Sequence, residues 1–243
     1  MKWLTLLLWA AGLAMLAAGL YLIVHKHSSS TTAQTTTTTS TVKKPLPTPR
    51  ISPTVLVYRV GPSKKIEVHA SPVLSGPIDA ATALDALHVK AQIAVSNGTA
   101  TLSQLSTPSA ASTAEIVWTL TQFSSIQRVD LPGHKGLTRQ DEAAFAPPIL
   151  VESPVGATPL PHTFHVKGSA IVFEATLVAK LSVHGQPPIQ RTLTATQGAP
   201  GVGTFDTVFH VASGGPATLT LYSPSAENGA PQHEVTLHLL IAD

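Results

Sequence analysis

The chain has 243 residues, 12 % of them charged, and no cysteine, which excludes disulfides, thiolate catalysis and a lipid anchor on cysteine. Five basic residues and no acid precede position 51, whereas ten Lys or Arg residues and thirteen Asp or Glu residues follow it. The mildly acidic character of this larger part argues against a nucleic-acid-binding surface.

The first predicted element is a membrane anchor in residues 1–27. The run from Trp3 to Val24 contains no charged residue and no proline. A helix of about 20 apolar residues crosses a hydrocarbon core of about 30 Å. The run is longer than the apolar region of a cleavable signal peptide, and no typical cleavage site follows it. We therefore expect an uncleaved single-pass helix in the cell membrane, with the remaining chain on the extracytoplasmic side.

A tether is predicted in residues 28–53, which consist mainly of Thr, Ser and Pro. Such a low-complexity segment cannot bury enough apolar surface to offset the entropy lost on ordering. We expect it to be disordered and to hold the following domains away from the membrane. A glycosylated spacer and an unmodified linker both fit this composition.

Residues 54–132 are predicted to form an α+β unit with the order β-β-α-β-β-α-β. Strands are expected at 54–60 and 65–70 because apolar and polar residues alternate there. Asp79 is the predicted N-cap of a first helix, in which apolar residues recur at helical spacing. We expect both helices to cover one face of a single small sheet.

The second half of this unit carries two further local signals. Asn97-Gly98 separates two alternating segments, and this pair favours a two-residue type I′ turn. Ser112 and Glu115 fit a capping box at the start of a second helix. A last strand is predicted at 126–131.

A linker at 133–148 is expected to lead into an all-β sandwich at 149–243. The longest alternating segment runs from Ile171 to Val183, where Phe173 falls on the apolar face and Glu174 on the polar face. About seven short strands separated by Gly- and Pro-rich turns are typical of an immunoglobulin-like sandwich.

Four segments of this second unit resemble the immunoglobulin-like domain of bacterial spore germination: ILVESP, GSAIVFEA, GVGTFD and YSPSAENGAP, which begin at residues 149, 168, 201 and 222. In the first unit, AEIVWTLTQFSSIQRVDL at 114–131 and the helix and hairpin at 83–105 resemble the GerMN domain of sporulation and germination proteins. That family usually has a Gly-Pro-containing loop after its first helix, whereas Gly76-Pro77 precedes the predicted helix here.

The two resemblances imply an envelope protein with no known catalysis, which binds other proteins or the cell wall. The GerMN fold is similar to ring-building modules of envelope machines. The resemblance therefore implies self-association or docking to another envelope protein.

The residues themselves indicate no catalytic, metal or cofactor site, and no binding residues can be assigned from them. The histidines considered as metal ligands lack a ligand motif; they are His25, His27, His162, His165, His233 and His238. Ser213-Gly-Gly lacks the nucleophile-elbow pattern and is expected to be a hairpin turn. Glu174 and Asp206 are interpreted as surface and turn residues rather than a catalytic acid pair. Gly201-x-Gly203 lacks the helix that a phosphate loop requires.

Two functions are compatible with these observations. The first is a non-catalytic, membrane-anchored envelope protein that presents two interaction modules in sporulation, germination or general envelope upkeep. The second is a module that binds cell-wall glycan such as peptidoglycan. Glycan-binding sandwiches usually use exposed aromatic residues, and most aromatic residues of this unit fall on apolar faces: Phe164, Phe173, Phe205, Phe209 and Tyr222.

Overall fold

A computed structural model describes residues 53–156 and 158–243, which belong to one compact unit. The predicted anchor at 1–27 and nearly all of the predicted tether lie outside these residues. Within the described ranges, no helix has both the length and the apolar character needed to cross a membrane.

The α+β part contains six strands and two helices. They are β1 (Thr54–Val60), β2 (Ile66–Pro72), α1 (Ala80–Leu87), β3 (Gln92–Ser96), β4 (Thr99–Ser103), α2 (Ala110–Leu120), β5 (Arg128–Leu131) and β6 (His134–Leu137). The strands form two separate sheets. An antiparallel β1-β2 pair is one sheet, and the other has the order β3-β4-β5-β6 with β4 and β5 parallel. The predicted single sheet is therefore wrong.

Local sequence signals explain several of these elements. The Asp79 side chain accepts a hydrogen bond from the amide of Thr82 at 2.9 Å, as predicted for the N-cap of α1. This bond holds the pKa of Asp79 below its usual range. Asn97 and Gly98 both have positive φ angles, 48° and 76°, which confirms the predicted type I′ turn between β3 and β4.

The start of α2 differs from the prediction. The helix begins at Ala110, and the N-cap is Ser109, whose hydroxyl accepts from the amide of Ser112 at 3.2 Å. The predicted capping box of Ser112 and Glu115 is wrong because the Glu115 carboxylate accepts a hydrogen bond from the amide of Val60 in β1 at 2.9 Å. Because the Glu115 carboxylate bonds to β1, it is not available to bond the backbone at the start of α2.

Helix α2 and the residues directly after it line the outer edge of β1 with polar side chains. Glu115 binds the amide of Val60, Thr119 binds the amide of Tyr58 at 3.2 Å, and Gln122 binds both the amide and the carbonyl of Leu56. An unpaired strand edge that lies against a helix would otherwise leave backbone groups without partners. Glu115, Thr119 and Gln122 thus occupy the place of a third strand.

The sandwich contains seven strands in two sheets. They are β7 (Ile149–Ser153), β8 (Thr163–Ala170), β9 (Thr176–Val183), β10 (Ile189–Thr194), β11 (Gly203–His210), β12 (Gly215–Pro224) and β13 (Pro231–Ile241). One sheet has the order β10-β9-β12-β13 and the other β11-β8-β7, with every pair antiparallel. Alternating apolar side chains from both sheets form one core, in which the rings of Phe164 and Phe209 stack with centroids 6.0 Å apart. This confirms the predicted sandwich of about seven strands.

The long strand predicted from Ile171 to Val183 is interrupted. Its first part is a crossover between the sheets that contains a 3-10 turn at Phe173–Ala175, and β9 begins only at Thr176. Glu174 and Ala175 have positive φ angles, 52° and 56°, which reverse the local side-chain direction. As a result, Phe173 is 65 % exposed instead of lying in the core.

Candidate functional site

The segment predicted as a linker carries the most heavily bonded arginine in the described part of the chain. The Nη1 atom of Arg139 lies 2.6 Å from Oε1 of Glu152 in β7, and its Nε donates to the Thr121 hydroxyl at 2.9 Å. The guanidinium carbon lies 4.6 Å from the ring centroid of Trp118 and 5.2 Å from that of Tyr58. We call Tyr58, Trp118, Arg139 and Glu152 the junction cluster, because it joins the α+β part to the sandwich.

Both charges of the junction cluster are largely removed from water. The side chains of Arg139 and Glu152 are only 14 % and 17 % exposed. Burial, followed by the charge of Glu152, raises the pKa of the Tyr58 hydroxyl far above its ordinary value. Tyr58 therefore stays protonated in the physiological range and serves as a packing surface rather than as an acid or a base.

An apolar cluster continues the junction around these side chains. It connects β1, β2 and α2 with β7 through six buried residues: Tyr58, Ile66, Ala114, Trp118, Ala146 and Leu150. Residues 133–148 are thus not an independent linker. Part of this segment forms β6, which pairs with β5, and part packs between the two halves of the fold.

An open groove beside the junction cluster is a candidate binding site in the described part of the chain. It lies on the outer face of the three-stranded sheet, next to the end of β10, and has a volume of about 410 Å³. The residues that line the groove are Glu152, Lys167, Gly168, Thr194, Thr196, Thr204, Phe205 and Asp206. We call this feature the threonine groove.

Two strands place the charged residues of the threonine groove opposite each other. Asp206 of β11 pairs with Lys167 of β8, and its carboxylate lies 3.1 Å from the Lys167 ammonium. The ring Nδ1 of His165 lies 2.8 Å from the other carboxylate oxygen. The hydrogen bond from His165, followed by that from Lys167, lowers the pKa of Asp206. Asp206 is therefore an anion at neutral pH.

The chemistry offered by the threonine groove is that of polar recognition. Three threonine side chains, one ammonium group and two carboxylates line it. Glu152 is bound by Arg139, and Asp206 is bound by His165 and Lys167. Because both carboxylates already have cationic or hydrogen-bonding partners, this arrangement favours holding a polar ligand over transferring protons.

One close contact shapes the sheet beneath this groove. Gly168 of β8 pairs with Phe205 of β11, and a Cβ atom at Gly168 would collide with the Phe205 ring and with the Leu150 carbonyl oxygen. A glycine is therefore required where the aromatic ring lies over the neighbouring backbone.

The histidines considered from sequence do not come together. His162 lies 2.9 Å from the carbonyl oxygen of Ala242, while His233 and His238 are exposed on β13. Among the described residues, no three His, Cys, Asp or Glu side chains are grouped so that they could hold a metal ion. His25 and His27 lie outside the described ranges.

The other residues weighed from sequence take structural places, two of them different from those expected. Ser213 accepts a hydrogen bond from Gln186 and lies in the connection from β11 to β12, which belong to different sheets, so the predicted hairpin is wrong. Glu174 lies in the 3-10 turn and not on the polar face of a strand. Gly203 begins β11, so no helix follows the Gly201-x-Gly203 segment.

Sequence reasoning did not find the junction cluster. The available signal was weak: Glu152 is a lone acid that follows three apolar residues in β7, and Arg139 is a basic residue in an otherwise unremarkable connecting segment. Both are separated from Tyr58 by about 80 or more positions. Only the fold brings them together.

Comparison with known proteins finds a family match in the second half of the fold. A search of curated proteins finds no match. The GerMN domain is not detected in this chain. Residues 148–230 match the family model described as the immunoglobulin-like domain of bacterial spore germination. This matched segment contains strands β7 to β12 of the sandwich.

Proposed function

We propose that this chain is a non-catalytic protein of the bacterial cell envelope with a germination- or sporulation-like role. The observation that carries the proposal is the match of residues 148–230 to the immunoglobulin-like domain of bacterial spore germination. A membrane anchor in residues 1–27 would display both folded parts on the extracytoplasmic side, and the apolar run from Trp3 to Val24 supports it. The first unit is proposed to be GerMN-like, on the resemblance at 83–105 and 114–131.

The proposed activity is interaction with another envelope protein through the outer face of the three-stranded sheet. That face presents exposed polar side chains, and the junction cluster connects the sandwich to the α+β part. Because the groove carboxylates are already engaged, the geometry favours binding without catalysis. The acidic balance of residues 51–243 favours a partner other than nucleic acid.

Two measurements on the full chain in its host test this proposal. After lysis, we expect the chain to remain in the membrane fraction at high salt, and protease added to intact cells with a permeable wall should cleave it. A photo-crosslinking residue at Thr204, in the threonine groove, should trap one discrete envelope protein. The same residue at Lys180, exposed on the opposite sheet, should not. A protease-protected chain in the soluble fraction would contradict the proposal.

A second candidate function is binding of cell-wall glycan. The observation that favours it is the row of threonine hydroxyls beside Lys167 in the threonine groove, because sugar hydroxyls bind such donors and acceptors. Sedimentation of the full chain with purified peptidoglycan distinguishes the two candidates. Saturable binding that Lys167→Met reduces and Lys180→Met does not would favour the glycan function over the protein partner.

A further inference from the structure

Strand β3 is an edge strand without the usual protection. It lies at one end of the four-stranded sheet and is hydrogen-bonded only to β4. Its sequence, Gln92–Ser96, contains no charged residue and no proline. Every other edge strand among the described residues contains at least one ionisable side chain, and β6, β7 and β13 also lie at register shifts. Charges and bulges are the features by which sheets avoid pairing through their edges.

On the edge of β3 that faces away from β4, backbone amide and carbonyl groups are available for hydrogen bonding to another strand. Ser96 and Thr99 close the two-residue turn as a hydrogen-bonded pair, and bonded and non-bonded pairs alternate along an antiparallel ladder. The amide and carbonyl groups of Ile93 and Val95 therefore point away from β4. No hydrogen bond from the described residues reaches these groups outside the ladder, in contrast to β1, whose outer edge is bonded by α2.

We propose that β3 pairs antiparallel with β3 of a second copy of this chain. A two-fold axis at Ala94 overlaps all five residues of both strands and places Ile93 of each copy opposite Val95 of the other. Both outward-pointing backbone positions then bond to their counterparts. The two four-stranded sheets join into one continuous sheet.

The side chains of β3 are compatible with β3 of a second copy as the partner strand. Val95 is 47 % exposed, although its neighbour across the ladder, Ala100, is fully buried. In the proposed register the β-branched side chains of Ile93 and Val95 meet across the two-fold axis and extend the apolar face of both sheets. Because β3 contains no charge, a symmetric pair brings no like charges together. This pairing goes beyond the proposed function and does not depend on a role in germination.

The absence of cysteine from the chain makes a direct test available. In the proposed register, Ala94 lies opposite Ala94 of the second copy in a non-bonded pair, about 4.5 Å apart at Cα, which a disulfide can span. Mild oxidation of the full-length Ala94→Cys chain should give a covalent dimer on a non-reducing gel. Thr101→Cys is the matched control: it is also exposed and lies opposite Ala94, but one strand away from the edge. It should stay monomeric.

A second pair of variants tests whether the apolar contact drives the pairing. Adding Val95→Lys to Ala94→Cys should abolish the covalent dimer, whereas adding Leu240→Lys should retain it, because Leu240 is equally exposed but lies on β13. The proposal is overturned if Ala94→Cys stays monomeric, if Thr101→Cys dimerises to the same extent, or if Ala94→Cys crosslinks in the host to a different protein instead of to itself.

Discussion

At the scale of single residues, the junction depends on a charged pair that water barely reaches. Arg139 has partners on three elements, since it contacts Glu152 of β7, Thr121 at the end of α2 and the Tyr58 ring of β1. A buried charge is stable only while its partner is present, because an unpaired charge in a poorly solvated place retains its full desolvation cost. The Arg139–Glu152 pair therefore makes the junction sensitive to the loss of either residue.

Replacing Arg139 by Met should lower the free energy of unfolding by about 3 kcal/mol, because it leaves Glu152 buried without a counter-ion. The double variant Arg139→Met/Glu152→Leu should recover most of this loss, since it removes both charges. Lys167→Met is the control: it breaks an ion pair that is half exposed, and it should cost less than about 1 kcal/mol. Urea denaturation at neutral pH measures all three values. A double variant no more stable than Arg139→Met would show that the unpaired charge of Glu152 does not cause the loss of stability.

The alternation in the sequence predicts that Phe173 and Phe209 are both buried, but the structure buries only Phe209. Phe173 is 65 % exposed on the 3-10 turn, whereas Phe209 is fully buried in the sandwich core. Phe173→Ala should therefore change the free energy of unfolding by less than about 0.5 kcal/mol. Phe209→Ala should lower it by about 3–5 kcal/mol, because it removes a buried ring and leaves a cavity. Thermal or urea unfolding of both variants gives the comparison, and equal losses would place Phe173 back in the core.

At the scale of elements, the sequence predicts those features whose cause is local. The Asp79 cap and the Asn97-Gly98 turn need only neighbouring residues, and both occur where expected. Strand β6 has no apolar alternation, and it exists because β5 is beside it and because the Asp130 carboxylate binds the amide of Gly136 at 2.7 Å. Ala175 adopts a positive φ angle in the crossover between the two sheets, a conformation that alanine seldom takes and that its residue type therefore does not indicate.

Helix α2 provides the element-scale prediction. Thr119→Val keeps the shape of the side chain but removes the oxygen that accepts from the buried amide of Tyr58. The free energy of unfolding should fall by about 2 kcal/mol, the usual cost of a buried donor without a partner. Thr101→Val, on an exposed strand position, should be close to neutral. Equal values for the two variants in urea denaturation would show that α2 does not bond the edge of β1.

At the scale of the whole described molecule, each of the two predicted domains has its own hydrophobic core, and a third cluster of six buried residues joins them. Within residues 149–243 the described elements are strands apart from one 3-10 turn, and this sandwich was predictable from its alternation. The contact between the halves was not, because it is built from residues that are far apart in sequence, such as Tyr58, Trp118 and Leu150. Periodicity in one segment carries no information about which distant segment covers it.

The cluster that joins the two halves predicts that they unfold together. Trp118 is the single tryptophan of the described ranges, so a Trp3→Phe/Trp9→Phe variant leaves it as the sole fluorescent reporter of the junction. Its fluorescence transition in urea should coincide with the far-UV circular dichroism transition, which is dominated by the strands of both halves. A fluorescence transition at lower urea concentration would show that the junction opens before the sandwich unfolds.

The bonding of β1 by α2 also determines how fast deuterium enters the two sheet edges of the α+β part. The amides of Leu56, Tyr58 and Val60 lie on an outer edge but are held by side chains, so they exchange only when α2 moves away. The outer amides of β1 would therefore exchange as slowly as those of a central strand. In a single copy of the chain, the outward amides of Ile93 and Val95 would exchange freely; pairing of β3 would slow them as the protein concentration rises.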